Sequence, residues 1–261
     1  MTAREALAEA ERRLAAGGVH TPRVDAEWLI AHLLRTTRSG LAVRLDDEVD
    51  GLEPLLARRE AREPLAYVLG EWGFRRLTLK TDARALVPRP ETETLVERAL
   101  ALAEGFERPR ILDVGVGSGA IALAIKDERP DAQVTGVDLS HDALALAREN
   151  ADRLGLEIEL REGDGAAAAS EGWDVVAANP PYVVDLEDVQ PELRWEPELA
   201  LVGSGEHERL VRAAKAVFVV VEVGDGQAGE VAAMLERLGS GDVAITSDLT
   251  GRDRVVEGRL P

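Results

Sequence analysis

Asn179-Pro180-Pro181-Tyr182 is the segment whose residue types specify a chemistry most narrowly. Two consecutive prolines leave no backbone donors and hold a rigid, extended loop. The Asn179 side-chain oxygen and the Pro180 carbonyl then form a pair of acceptors able to take both hydrogens of an NH2 group. An amide or aniline-like nitrogen is a poor nucleophile because its lone pair is delocalised. Holding both hydrogens aims that lone pair at an electrophile and favours pyramidal nitrogen as the new bond forms. No strong general base is needed before transfer. Tyr182 can wall or stack the planar group, and Pro181 completes the substrate-facing loop. The bland alternative is an ordinary strand-ending turn.

A second segment can hold the molecule that carries the electrophile. Asp113-Val114-Gly115-Val116-Gly117-Ser118-Gly119 reads as a strand end, a glycine-rich turn and a helix start. Glycines there let the backbone approach a ligand that side chains would block. The spacing G-x-G-x-G, preceded by Asp113, differs from the dinucleotide fingerprint G-x-G-x-x-G. Asp138, about 20 residues further on, suits a bidentate grip on ribose hydroxyls, or it could cap the following helix. Asp164-Gly165 supplies a third turn, where Asp164 could accept from an exocyclic amine or be a plain loop acid.

These segments need a scaffold that brings strand ends together. From about residue 91 strands alternate with helices: strands at 110–114, 133–138, 158–162, 173–178, 216–223, 243–247 and near 254–259, and helices at 118–128, 141–154, 207–215 and 227–238. Such alternation predicts a mostly parallel sheet with helices on both faces, closed by an antiparallel edge hairpin. Residues 1–70 read as a helical domain. Thr2 and Glu5 make a capping box, Pro22 opens a second helix with Trp28, Leu29, Leu33 and Leu34 on one face, and a third helix near 52–62 ends at Pro64. Residues 71–90, with Phe74, Leu77 and Leu79, predict a β-hairpin linker, and 91–261 the catalytic domain.

Composition narrows the partners. The chain of 261 residues is 45% hydrophobic and 31% charged, with a formal net charge of −18, which argues against a broad nucleic-acid footprint. It has no cysteine, and His20, His32, His141 and His207 are scattered, so no metal site is expected. Neither a membrane span nor a signal peptide is visible, so the reading is a soluble, cytoplasmic protein.

The glycine turn, Asp138 and Asp164 together resemble the class I, seven-stranded methyltransferases. That resemblance implies S-adenosyl-L-methionine as cofactor, held by Asp113, Gly115, Val116, Gly117, Ser118, Gly119, Asp138, Asp164, Gly165 and Asn179, with S-adenosyl-L-homocysteine as product. The Asn-Pro-Pro-Tyr motif occurs in methyltransferases of adenine N6, guanine N2 and glutamine amides. The segments Asp25-Ala26-Glu27, 62–70, Leu86-Val87-Pro88-Arg89-Pro90-Glu91-Thr92-Glu93, Trp195-Glu196-Pro197, Glu222-Val223-Gly224 and Gly251-Arg252-Asp253-Arg254 resemble the peptide chain release factor glutamine methyltransferase family. The likeness implies methylation of the glutamine N5 in the Gly-Gly-Gln loop of class I release factors; a monomer is expected, and the charge argues against direct nucleic-acid binding.

Pro88 to Glu93 also reads as a rigid linker into a helix with acids in its first turn. That reading gives no account of Arg89, which is taken to face the active-site mouth and contact substrate. Glu222 and Arg254 read as structural. Three features depart from the family pattern: a shortened stretch between Trp195 and Glu222, a trimmed link between Leu45 and Leu55, and Gly165 where an aromatic often follows the acid. The competing readings are a glutamine methyltransferase of a ribosomal large-subunit protein, a nucleic-acid amino methyltransferase, and a non-enzymatic S-adenosylmethionine-binding assembly factor.

Overall fold

Thr2 Oγ1 accepts from the Glu5 N–H at 3.3 Å while Glu5 Oε2 accepts from the Thr2 N–H at 2.9 Å, so the expected capping box closes over α1 (Ala3–Ala16). The computed structural model describes residues 1–182 and 189–261. The chain forms two compact units, Met1–Glu71 with Gln190–Trp195, and Trp72–Val189 with Glu196–Pro261.

In the first unit α1 buries Ala3, Ala6, Leu7, Ala10 and Leu14. Pro22 pre-sets the first turn of α2 (Pro22–Leu33). Its inward stripe is Ala26, Leu29 and Ile30, whereas Trp28, Leu33 and Leu34 are half-buried. The 3.6-residue stripe from Ala26 passes beside Trp28, and the other two lie at the helix end. α3 (Leu52–Glu60) precedes Pro64, and a short α4 (Leu65–Leu69) follows it, a helix the sequence reading did not separate. Arg59 is buried, 2.7 Å from Asp25 and 2.8 Å from Glu192, which also lies 2.8 Å from Arg62. Burial pushes the Glu192 carboxyl up, but Arg62 and Arg59 outweigh it and hold the group down at about 2. Buried charges persist only when paired in this way.

The hairpin is β1 (Glu71–Phe74) and β2 (Leu77–Lys80). Its Phe74, Leu77 and Leu79 join Leu95, Ile111 and Val175 in one core cluster. The remaining elements are α5 (Thr92–Ala103), β3 (Arg110–Val114), α6 (Ala120–Glu128), β4 (Gln133–Asp138), α7 (His141–Leu154), β5 (Glu159–Glu162), α8 (Gly165–Ala169), β6 (Trp173–Ala178), α9 (Glu198–Leu201), α10 (Glu206–Ala213), β7 (Ala216–Glu222), α11 (Ala228–Arg237), β8 (Gly241–Ser247) and β9 (Asp253–Arg259).

The seven-stranded sheet has the order β5-β4-β3-β6-β7-β9-β8. Its first five strands are parallel, and β9 and β8 are antiparallel, as the edge hairpin predicts. Along β6 successive residues face opposite layers, Val175 and Ala177 in one core cluster, Val176 and Ala178 in the other. Both faces are covered, so the central strands read as continuous apolar runs. The chain progresses outward from β3 to β5 and then returns to β6 beside β3. The carboxyl ends of β3 and β6 therefore flank a topological switch point, where open α/β sheets bind ligands.

Candidate active site

Gly115, Gly117 and Gly119 follow β3 with φ of +76°, +54° and +88°, values that side-chain-bearing residues rarely adopt. The N–H groups of Gly115 and Val116 both donate to the Val137 carbonyl, at 2.9 and 3.0 Å, which folds the turn over the end of β4. Gly136 on β4 makes room for it, since a Cβ there would lie 2.5 Å from Val116 Cγ2. Asn150 of α7 braces the turn by donating to the Ser118 carbonyl at 2.9 Å and the Lys80 carbonyl at 3.1 Å. Asp113 lies fully buried beneath, where Oδ2 accepts from the Ala122 N–H at 3.0 Å and Oδ1 has no hydrogen-bond partner among the described residues. Burial pushes its carboxyl up to about 7, against the Ala122 hydrogen bond and with the charge of Asp138.

Asp138 ends β4 with one oxygen accepting from Gly117 N–H and the other from Ser140 N–H, each at 2.9 Å. The cap of α7 is Ser140, whose side chain accepts from Ala143 N–H at 3.1 Å, so Asp138 is not spent as the cap. Asp164 does cap α8, accepting from Ala166 N–H at 3.1 Å, and its other oxygen lies 2.6 Å from Arg209 Nη2. Gly165 has a packing cause. A Cβ at that position would lie 2.2 Å from Val114 Cγ1, so no aromatic could stand there on this backbone. Apolar surface comes instead from Leu139 and Leu199, which are 57% and 56% exposed and line the adjoining cavity.

At the end of β6, Asn179 Nδ2 donates to Thr92 Oγ1 at 3.4 Å, and Thr92 donates to Glu222 Oε2 at 2.6 Å. Pro180 is buried and Pro181 half-buried. Tyr182 packs against Gly224, where a Cβ would lie 3.0 Å from its Cδ2, and burial pushes the phenol up. Arg89 pairs with the buried Glu196, whose Oε2 also accepts from Val87 N–H at 3.0 Å.

One cavity of about 290 Å³ gathers these strand ends. Gly115, Val116, Gly117, Ser118, Asp138, Asp164, Gly165, Asn179, Pro180, Pro181 and Arg89 all line it. Asp113, Gly119 and Tyr182 do not. Asp113 is under the turn, Gly119 caps α6 against the Leu123 side chain, and Tyr182 is turned to Gly224. The sequence reading did not assign Thr92, Leu139, Leu199 or Arg209 to the site. Leu139 could have been found as the apolar residue directly after Asp138. Thr92 stands in the segment 86–93 that carries the family resemblance, which assigned it no role, whereas Leu199 and Arg209 arrive from distant segments that nothing local marks.

Residues 5–70 match the PrmC N-terminal domain, and residues 92–206 match the Methyltransferase small domain. The chain is similar to a release factor glutamine methyltransferase of Deinococcus radiodurans, 41% identical over 99% of each chain. One from Geobacter sulfurreducens is 39% identical over 99% of this chain and 97% of its own. The chain belongs to the release factor glutamine methyltransferase family. Beyond it, the catalytic domain of hMettl16, solved with a 3′UTR hairpin, covers 79% of this chain and 82% of its own at a TM-score of 0.58 and 14% identity, a likeness of fold alone. In this family member the glycine turn, the β4 acid and the segment Asn179-Pro180-Pro181 open on one cavity. S-adenosyl-L-methionine fits the donor set. Asp138 lines the cavity with only one N–H on each oxygen, so both can still accept from a diol, a Cβ at Gly115 would project into open space, and two leucines offer apolar faces.

Proposed function

We propose that this chain transfers the methyl group of S-adenosyl-L-methionine to the N5 side-chain amide of the glutamine in the Gly-Gly-Gln loop of class I peptide chain release factors. The observation that carries the reading is Asn179-Pro180-Pro181 lining the same cavity as the glycine turn and Asp138, in a chain of this family. Bound there, the cofactor supplies a sulfonium-activated methyl electrophile. Asp138 holds the ribose hydroxyls, Gly115 and Gly117 let the backbone close on the amino-acid end, and Leu139 and Leu199 flank the base in place of an aromatic. Asp164 receives the exocyclic amine while shared with Arg209.

Asn179 Oδ1 and the Pro180 carbonyl accept the two hydrogens of the glutamine NH2. Held so, the nitrogen cannot rotate, and its lone pair is turned along the transfer direction. The preorganised acceptors also favour the positive charge that builds on nitrogen as the N–CH3 bond forms and the S–CH3 bond breaks. The nitrogen then sheds one held proton to solvent, and S-adenosyl-L-homocysteine leaves as the neutral thioether. Tyr182 backs the loop from outside the cavity, and Arg89, pinned by Glu196, faces the substrate at the rim. The helical unit of residues 1–71 recognises the release factor, and the protein works as a monomer in the cytoplasm, without nucleic acid. Labelled cofactor incubated in parallel with release factor, ribosomal large-subunit protein, DNA and RNA tests the reading. Label is expected on the release factor glutamine, and label on any of the others alone overturns it.

A further inference from the structure

Thr92 is buried at the start of α5 and lines the cavity beside Asn179. Its single hydroxyl oxygen lies 2.6 Å from Glu222 Oε2 and 3.4 Å from Asn179 Nδ2. In its ionised form the Glu222 carboxylate can only accept, so the one hydroxyl proton of Thr92 then goes to Glu222. The Thr92 oxygen is left with lone pairs, and it can meet Asn179 only as an acceptor. That selects the NH2 end of the Asn179 amide. The opposite end, Oδ1, is turned away from Thr92.

A free asparagine amide has little preference between its two ends, since oxygen and nitrogen are nearly the same size. With the amide reversed, an NH2 group would confront the substrate's NH2 group, and neither could accept. The catalytic loop therefore needs a device that sets the flip, and the two prolines cannot supply it because they fix only the backbone. Glu222 is the deepest member of this chain of contacts, 1% exposed at the end of β7. Burial pushes its carboxyl up to about 7, while the Thr92 hydrogen bond and Arg254 favour the ionised form. Of the three groups, only Thr92 and Asn179 line the cavity; Glu222 lies behind them.

We propose that Thr92 and Glu222 are positioning residues for methyl transfer: Glu222 orients the Thr92 hydroxyl, and Thr92 holds the Asn179 amide with its oxygen presented to the substrate NH2. This rests on the reading of Asn179 as an acceptor for the glutamine amide. Thr92→Val keeps the shape of the side chain and removes both hydrogen bonds. Thr92→Ser keeps the hydroxyl.

The test compares, at pH 8 where Glu222 is ionised, single-turnover methylation of a release factor by wild type, Asn179→Ala, Thr92→Val and Thr92→Ser. S-adenosyl-L-homocysteine affinity is measured by calorimetry, and the KM for release factor in the steady state. Thr92→Val should slow the chemical step about tenfold, with affinity and KM unchanged, and Thr92→Ser should restore most of the rate. A role in folding alone would move the melting temperature and the affinity instead. If Thr92→Val melts early, Thr92→Ala removes the hydroxyl without a branched replacement, and the same slowing is expected. Asn179→Ala slow with Thr92→Val at the wild-type rate overturns the positioning role and leaves the acceptor reading intact. Asn179→Ala at the wild-type rate overturns the acceptor reading itself. A Thr92→Ser variant as slow as Thr92→Val also counts against the hydroxyl.

Discussion

Asp138 holds two backbone N–H groups at the cavity and, in the proposed reading, serves the ligand as well. Each carboxylate oxygen takes one N–H, from Gly117 and from Ser140, and keeps a lone pair for a ribose hydroxyl. If Asp138 grips the ribose as proposed, removing the carboxylate costs charge-assisted hydrogen bonds to the ligand and slackens the turn. Asp138→Ala is expected to weaken S-adenosyl-L-methionine binding by about 1–3 kcal/mol, measured by calorimetry on a variant shown by melting to be folded. Unchanged affinity would remove Asp138 from the ribose site. Arg89 differs in kind. Its guanidinium is tied to Glu196, which in turn holds Val87 N–H, so it orders the segment entering α5 as well as facing the cavity.

Among the elements, β4 makes the clearest demand on sequence. The glycine turn is bound to β4 through two N–H groups on the Val137 carbonyl, which drives the Val116 side chain onto the strand. Position 136 tolerates only hydrogen, because a Cβ would fall 2.5 Å from Val116 Cγ2 and 2.9 Å from its Cβ. Gly136→Ala is expected to destabilise the fold by about 1–3 kcal/mol through overpacking. Because the displaced atoms belong to the cofactor turn, affinity should fall in the same variant. Denaturant unfolding and calorimetry on one preparation would check both, and an unchanged pair of values would refute the packing account. Gly165 is the companion case on α8. There Val114 takes the room that an aromatic would need, and Leu139 and Leu199 present apolar surface to the cavity.

At the scale of the whole molecule, two buried carboxyl groups set a dependence on pH. Burial pushes both Asp113 and Glu222 up to about 7, whereas the unfolded chain titrates them near 4. The folded state thus holds these protons more tightly. Their stabilising contribution is fully present below about pH 4, is lost as pH rises toward about 7, and changes little beyond that. Asp113→Asn should accordingly be closer to wild type in stability at pH 5 and more stable than wild type at pH 8, by urea unfolding without cofactor. An equal difference at both pH values would show that Asp113 does not titrate in this window. The paired Glu192, held at about 2 by Arg62 and Arg59, works in the opposite direction, its contribution being lost only in strong acid. The formal charge of −18 adds repulsion at high pH.

Local sequence determined a good deal of this protein. The apolar runs of β3 and β6, the capping box at Thr2, and the glycines and prolines that interrupt periodicity all act within a few residues of themselves. The strands Arg110–Val114, Gln133–Asp138 and Trp173–Ala178 stand at the boundaries read from the sequence. The Asn-Pro-Pro-Tyr motif and the acid after the second core strand were visible for the same reason, since a strand end and its turn are one contiguous piece. What lies across the sheet was not visible. The contact of Thr92 with Asn179 and Glu222 joins residues 87 and 130 positions apart. Leu199 and Arg209 reach the cavity from α9 and α10, whereas Asp113 lies beneath the glycine turn and Tyr182 packs on Gly224, neither of them in the cavity lining. Only the order of the strands decides such meetings, because side-chain contacts across a sheet depend on which carboxyl ends are neighbours. That order is set by burying both faces of the sheet at once, a condition on the whole chain that no local stretch encodes.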